Sequence, residues 1–174
     1  MGYNGEKQGG IYMKTYEIRR AEPADLEDIL RIYAIARDFM AANGNPTQWS
    51  GGYPRRELLE ADMEKQCLYV VSEGQYIRGV FYFVIGEDPT YGYIEDGTWR
   101  SDTPYGTIHR IAGDGSGGIF AACLEFCSRM ISHLRIDTHR DNLPMQHVVE
   151  KHGFSRRGII YVADGSPRIA YDRI

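Results

Sequence analysis

The part of the sequence best suited to chemistry is a glycine-rich run, Gly113-Asp114-Gly115-Ser116-Gly117-Gly118, which separates a strand pattern from a helix pattern. Glycine lets the backbone turn tightly and approach a ligand without a clash from Cβ. The N-terminus of the helix that follows offers unpaired N–H groups and the positive end of the helix dipole, an arrangement that suits phosphate. The run therefore predicts a phosphate-binding loop, with a plain flexible connection as the alternative.

Three better-known motifs do not explain this run. A Walker loop ends in Gly-Lys-Ser or Gly-Lys-Thr, whereas Gly118 is followed by Ile119. A Rossmann fingerprint has an acidic residue about 20 positions downstream. Asp137 stands there, but a hairpin precedes the run and does not fit that fold. Ser116 matches the nucleophile of Gly-Asp-Ser-Gly-Gly proteases only if one glycine is deleted, and those trypsin-like proteins are nearly all strand.

The hydrophobic pattern predicts the elements that must position this loop. Strands are predicted over Tyr16–Arg20, Cys67–Ser72, Tyr76–Ile85, Thr107–Ala112, His133–Asp137, Phe154–Val162 and Arg168–Tyr171. Helices are predicted over residues 23–42, 54–65, 119–131 and 142–151. The early strands follow one another through hairpins, and the later ones alternate with helices. This order predicts an α/β fold (α+β mixed sheet), with a central sheet flanked by helices.

Length and composition limit the kinds of protein that fit. The 174 residues suit one domain, and with 43% hydrophobic and 25% charged residues the chain can bury a core. The formal charge of −4 argues against nucleic acid as a partner, and no apolar run approaches the about 20 residues that span a bilayer. Cys67, Cys123 and Cys127 lie in apolar stretches without a CxxC spacing, so we expect reduced cysteines and a cytoplasmic protein. Residues 1–12 predict a flexible leader before a domain over 13–174.

Four segments in the correct order make the chain from Tyr16 to Ile174 similar to the GCN5-related N-acetyltransferases, the GNAT family. Residues 18–25 (IRRAEPAD) resemble the family's first strand and helix start, and residues 108–126 resemble its acetyl-CoA motif. Residues 136–142 (IDTHRDN) resemble the next strand and turn, and residues 148–154 (VVEKHGF) resemble an ending in which a helix runs into Gly-Phe. The resemblance implies the GNAT acyl-CoA N-acyltransferase fold and an enzyme that transfers an acetyl group from acetyl-CoA directly to an amine.

The resemblance also implies which residues bind the cosubstrate. Those that would wrap the pyrophosphate of coenzyme A are Gly115, Ser116, Gly117, Gly118 and Ile119. The backbone of Ile111 and Gly113 would hold the pantetheine arm and the thioester carbonyl, and Asn142 would reach the same arm. Asn142 is equally suited to be the N-cap of its helix, and one residue can serve in both ways.

Two positions depart from the family's pattern. Its usual Gln/Arg-x-x-Gly-x-Gly/Ala motif would place Gly115 at the basic or amide position and Phe120 at the last small position, so the loop lacks a side-chain clamp and Phe120 would crowd the cofactor. The tyrosine that often protonates the departing thiolate aligns with Val149, which cannot donate a proton. These departures favour an alternative from another class, a non-catalytic acyl-CoA-binding or sensing module.

An acceptor amine must lose a proton before it attacks, so a base is expected beside the strand 107–112. His109 within that strand is the first candidate, against the reading of a packed strand histidine. Glu95 with Asp96 is the second, against an ordinary turn, and His139 is a weaker third. Aromatic residues of the irregular segments would line the acceptor pocket: Trp49, Tyr53, Tyr91, Tyr93, Trp99 and Tyr105.

The identity of the amine is not specified by the sequence. Small molecules and peptides both fit, whereas nucleic acid and membrane are not expected. His147 and His152 are five residues apart on one helix, a poor spacing for a shared metal ion, so we expect no metal site. The oligomeric state is also open, and a homodimer is one option.

Overall fold

One mixed sheet of seven strands frames the computed structural model, which describes residues 15–174. The predicted leader, residues 1–12, lies outside these described residues. The strands are β1 (Glu17–Arg20), β2 (Leu68–Glu73), β3 (Tyr76–Ile85), β4 (Gly106–Gly113), β5 (Leu134–Thr138), β6 (Ser155–Tyr161) and β7 (Pro167–Arg173). Their order in the sheet is β1-β2-β3-β4-β5-β7-β6, and every neighbouring pair is antiparallel except β4 and β5.

Four α-helices of the described chain flank this sheet, which confirms the predicted fold class. They are α1 (Leu26–Ala42), α2 (Arg56–Glu64), α3 (Ile119–Met130) and α4 (Leu143–Lys151). The first predicted helix opens with a 3-10 turn, Pro23–Asp25, and the second starts after Pro54 because Arg55 is still extended as its N-cap. A further 3-10 turn, Pro89–Tyr91, was not predicted and lies in the connection between β3 and β4.

The period-two alternation of the strands separates two hydrophobic clusters on opposite faces of the sheet. Along β2, Leu68 and Val70 pack with α1 and α2, whereas Tyr69 and Val71 pack with α3 and α4. A third cluster joins β6 and β7 to the connection between β3 and β4, with Tyr91 buried in it. The helices therefore hold the sheet from both sides while leaving its middle strands to form the site.

The middle of the sheet opens where β4 and β5 stop pairing. Their parallel register runs from Gly106↔Leu134 to Ile108↔Ile136, although β4 continues to Gly113 and β5 to Thr138. Backbone N–H and C=O groups of β4 beyond Ile108 thus lack partners on β5, and such groups need another partner when they are buried.

A bulge in β4 begins just after this point. His109 pairs with Tyr82 and Ala112 pairs with Val80, so Arg110 and the next residue together oppose a single residue of β3. Arg110 has φ of 50°, and its carbonyl accepts a hydrogen bond of 2.8 Å from the Tyr33 hydroxyl of α1. Its guanidinium pairs with Asp62 of α2. Two helices therefore hold the bulge in place.

Candidate functional site

A cavity of about 1020 Å³ occupies the opening between β4 and β5. Its walls include residues 108–113 of β4 and residues 136–139 at the end of β5. From there it extends in one direction to the glycine loop and α3, and in the other to α1, the loop 47–53 and the turn between β6 and β7. One cavity thus connects the glycine loop to residues 108–113 of β4 and to the loop 47–53.

The glycine loop presents alternate residues to this cavity. Gly115 and Gly117 line it with φ of 90° and 80°, and a Cβ added at either position would meet no atom within 4 Å. Gly118 is the left-handed N-cap of α3, and no side chain caps that helix. The first N–H groups of α3 therefore remain available at the cavity, since Ala122 is the residue that bonds back to the Gly118 carbonyl.

Ser116, which was predicted to help wrap the pyrophosphate, is held by Asp114. Its N–H donates to Asp114 Oδ1 at 3.0 Å, its hydroxyl contacts the same oxygen, and it is absent from the cavity wall. Burial alone would raise the pKa of Asp114, but the bonds from Ser116 and the Arg78 guanidinium lower it. This ionised carboxylate shapes the loop, and its charge is balanced by Arg78 rather than turned towards an anionic ligand.

Asn142 is the N-cap of α4, as the alternative for this residue proposed. Its Oδ1 accepts from Met145 N at 3.2 Å, and its Nδ2 donates to Gln48 Oε1 at 3.0 Å, which ties α4 to the loop 47–53. Asn142, Met145 and Val148 line the cavity, whereas Val149 is fully buried in the core. The helix therefore places no tyrosine at the cavity.

Phe120 lines the cavity, and its ring also packs against residues that are not part of the cavity wall. Its ring packs edge-on against His152, with 5.1 Å between ring centroids, and against Phe154 at 6.3 Å. Ile111, Gly113 and Ile119 also line the cavity, as the cosubstrate prediction requires.

His109 lines the cavity and is held by a carboxylate. Its Nε2 lies 2.7 Å from Asp88 Oδ2, and Asp88 in turn accepts two hydrogen bonds from Thr90. Burial would raise the pKa of Asp88, but the bonds from His109 and Thr90 outweigh it and lower that pKa to about 2. An ionised carboxylate accepts and does not donate, so in the neutral imidazole Nε2 carries the proton and Nδ1 the lone pair.

A second carboxylate faces the lone pair of His109. Asp137 Oδ1 lies 3.6 Å from Nδ1 and accepts a hydrogen bond of 2.9 Å from the Tyr91 hydroxyl. Burial, followed by the charge of Asp137, raises the pKa of Tyr91 well above its usual value, so this phenol remains a donor. The Nδ1 atom and the Asp137 carboxylate are two acceptors side by side, which is a suitable binding place for an amine or ammonium N–H.

The other predicted acid lies elsewhere. Glu95 is exposed, its backbone bridges to Ile159 of β6, and its carboxylate accepts from the Tyr161 hydroxyl. Glu95 and Asp96 are not part of the cavity wall, whereas His139 is. Among the predicted aromatic residues, Trp49 and Tyr53 line the cavity, and Tyr91 lies beside His109 with 5.8 Å between ring centroids. Four of the six do not line it: Tyr91, Tyr93, Trp99 and Tyr105.

Asp88 and Asp137 were missed as partners of His109 by sequence reasoning. A signal existed for Asp137, because it directly follows Ile136 in one predicted strand, just as His109 directly follows Ile108 in another. Asp88 stands before Pro89 in an irregular segment, where it caps the 3-10 turn, and nothing local links it to residue 109.

Residues 15–174 contain no group of three or more His, Cys, Asp or Glu side chains placed to hold a metal ion. None of the helices within the same residues is long and apolar enough to cross a membrane.

The chain is similar to several solved structures, although it matches no protein-family model and no curated protein. An acetyltransferase of the GNAT family from Streptococcus agalactiae 2603 superposes with a TM-score of 0.83 at 29% identity, over 95% of this chain and 98% of that one.

Two more distant structures share the fold. An acetyltransferase of the GNAT family from Listeria monocytogenes 4b F2365 has a TM-score of 0.66 at 17% identity, over 91% of this chain and 94% of that one. An N-acetyltransferase from Staphylococcus aureus Mu50 has a TM-score of 0.58 at 19% identity, over 92% and 98%.

Proposed function

The chain is an acetyltransferase of the GNAT family, and from this we propose that it transfers an acetyl group from acetyl-CoA to an amine held beside His109. One observation carries the proposal. A single cavity connects the glycine loop to the His109–Asp88 pair through the opening between β4 and β5. A cosubstrate laid along that opening would bring its thioester next to a base.

The residues present fit coenzyme A. Gly115 and Gly117 leave open space where side chains would otherwise stand, and the N-terminus of α3 supplies N–H donors and a positive dipole end for the pyrophosphate. The unpaired edge of β4 at Ile111 and Gly113 offers backbone groups to the amide-bearing pantetheine arm. Acetyl-CoA, when bound, supplies an acyl group activated as a thioester.

His109 would remove the proton that keeps an amine from attacking. An ammonium group placed between Nδ1 and Asp137 donates hydrogen bonds to both, and Nδ1 then accepts one proton. The imidazolium that forms lies 2.7 Å from the Asp88 carboxylate and 3.6 Å from the Asp137 carboxylate. The neutral amine can then attack the thioester carbon, and positioning supplies much of the rate.

The departing thiolate needs little protonation. A thiol of pKa about 8.5 leaves as the thiolate without a strong acid. Val148 and Met145, which α4 turns to the cavity, cannot donate a proton, and His109 can return the proton that it has taken.

Release of free thiol from acetyl-CoA in the presence of a panel of amines tests this function. We expect turnover with at least one amine, an acetylated product detected by mass spectrometry, and loss of both in the variant H109Q. The alternative, an acyl-CoA-binding or sensing module, predicts saturable binding of acetyl-CoA with no thiol release and no acetylated amine.

A further inference from the structure

Arg168 is a buried cation in the cavity wall that lacks an ion-pair partner. It is 9% exposed, and its Nη1 donates to Ser166 Oγ at 3.1 Å and to the Pro167 carbonyl at 3.2 Å. Within residues 15–174 no carboxylate lies within 4.0 Å of its guanidinium, and Nε and Nη2 make no hydrogen bond. The nearby Asp164 carboxylate is instead engaged by Ser166.

An unpaired charge in such a place needs an explanation. Burying an ion without a partner is unfavourable, so buried arginines are normally paired with carboxylates or phosphates. Another arginine at the edge of this cavity follows the rule, since Arg110 is paired with Asp62. Arg168 lines the cavity, and two nitrogens of its planar fork, Nε and Nη2, make no hydrogen bond within residues 15–174. A guanidinium with such free donors can bind a carboxylate.

The sheet register brings Arg168 close to the proposed amine site. Asp137 of β5 pairs directly with Ala170 of β7, and Arg168 is two residues from Ala170 on the same strand. Side chains two apart lie on the same face, and such diagonal neighbours have Cα atoms about 7–8 Å apart. Arg168 therefore lies on the same face as Asp137, and both residues line one cavity with His109.

We propose that the acceptor is a free amino acid, an inference that rests on the proposed function. Its carboxylate binds Arg168, and its ammonium binds between His109 Nδ1 and the Asp137 carboxylate. A diamine or polyamine would place a second positive charge against Arg168. The N-terminus of a protein has a peptide carbonyl where the carboxylate is needed.

The transfer then balances without a further reactant. The ammonium gives one proton to His109, the amine nitrogen forms a bond to the acetyl carbon, and the carbon–sulfur bond breaks. The nitrogen loses a second proton as the amide forms. One of the two protons ends on the thiolate of coenzyme A and the other in solvent, and the products are an N-acetyl amino acid and the free thiol.

The test compares each standard L-amino acid with its own carboxamide, which keeps the amine but removes the negative charge. We expect at least one amino acid to show kcat/KM at least tenfold above that of its amide. In R168Q kcat/KM on the acid should fall more than kcat/KM on the amide, so that this preference disappears. The control R156Q, at an exposed arginine of β6, should keep the preference.

The ratio of kcat/KM on the amino acid to kcat/KM on its carboxamide is measured within each variant. A smaller folded fraction lowers both values equally and does not change this ratio. Equal use of acid and amide by the unaltered protein, or an equal loss on both in R168Q, would overturn the role of Arg168 while leaving acetyl transfer intact. If neither the amino acids nor their carboxamides release thiol from acetyl-CoA, the proposed acetyl transfer is wrong. Calorimetry of the coenzyme A-loaded protein then decides, because preferential binding of an acid over its amide supports the Arg168 site and no preference overturns it.

Discussion

His109 illustrates how neighbouring groups decide what one side chain can do. The carboxylate of Asp88, with its pKa near 2, fixes the proton on Nε2 and leaves the lone pair on Nδ1 towards Asp137. From the sequence, His109 was only a candidate base in a predicted strand, with a packed strand histidine as the alternative. The second carboxylate, Asp137, is the partner that turns a strand histidine into a place for a cationic amine.

Replacing His109 by glutamine should reduce kcat by about 10²–10⁴, the usual contribution of a general base. Glutamine keeps much of the size and hydrogen bonding but takes up no proton at these pH values. The measurement is thiol release per folded molecule, with folding followed by circular dichroism. His147→Gln, at an exposed position of α4, is the matched control and should retain full activity. A His109 variant that keeps its rate would assign the proton to water or to another group.

At the scale of elements, the candidate site lies where β4 and β5 stop pairing. The loop and the start of α3 follow from local patterns, since glycines end one element and apolar residues at helical spacing start the next. The end of pairing at Ile108↔Ile136 is not local, because it depends on the β4 bulge and on the helices that hold Arg110. A single sequence therefore predicts the strands but not the opening between two of them.

Gly117→Glu should weaken binding of coenzyme A at least tenfold, about 1.4 kcal/mol. The new side chain projects into the cavity and brings negative charge towards the pyrophosphate. Gly44→Glu is the control, because Gly44 has a similar φ of 83°, similar open space and no place in the cavity wall. Calorimetry should therefore give a normal dissociation constant for the Gly44 variant, and a normal value for the Gly117 variant would remove the loop from the binding site.

For the whole molecule, the order of elements was enough to predict a mixed sheet between helices. What could not be predicted is the set of distant partners, such as Asp88 with His109 or Asp172 with Arg100 and Arg157, because each pair joins segments far apart in sequence. The site residues missed by the sequence belong to this class of long-range contacts.

His133 should make the stability of the whole molecule depend on pH. It is 2% exposed, and burial followed by the nearby Arg135 charge lowers its pKa in the folded state. The unfolded chain therefore takes up a proton near pH 6.5 that the folded chain does not. Its contribution is present above that pH and is lost as the pH falls, with a slope of at most about 1.4 kcal/mol per pH unit.

Chemical denaturation between pH 5 and 8 measures this slope. His133→Asn, which keeps a polar group near Thr103, should flatten the dependence of the unfolding free energy on pH even if it lowers stability overall. His147→Asn should follow the unaltered protein, because His147 is exposed. A His133 variant with the original slope would show that other groups control the acid sensitivity.

A crystal structure with coenzyme A bound tests the central claim most directly, since the claim is that the opening between β4 and β5 holds the cosubstrate and delivers its thioester to His109. We predict pyrophosphate at the loop of Gly115 and Gly117 and the N-terminus of α3, the pantetheine arm along β4 at Ile111 and Gly113, and the sulfur on the His109 side of the cavity. Coenzyme A bound elsewhere, with the opening empty or the sulfur directed away from His109, would contradict the account.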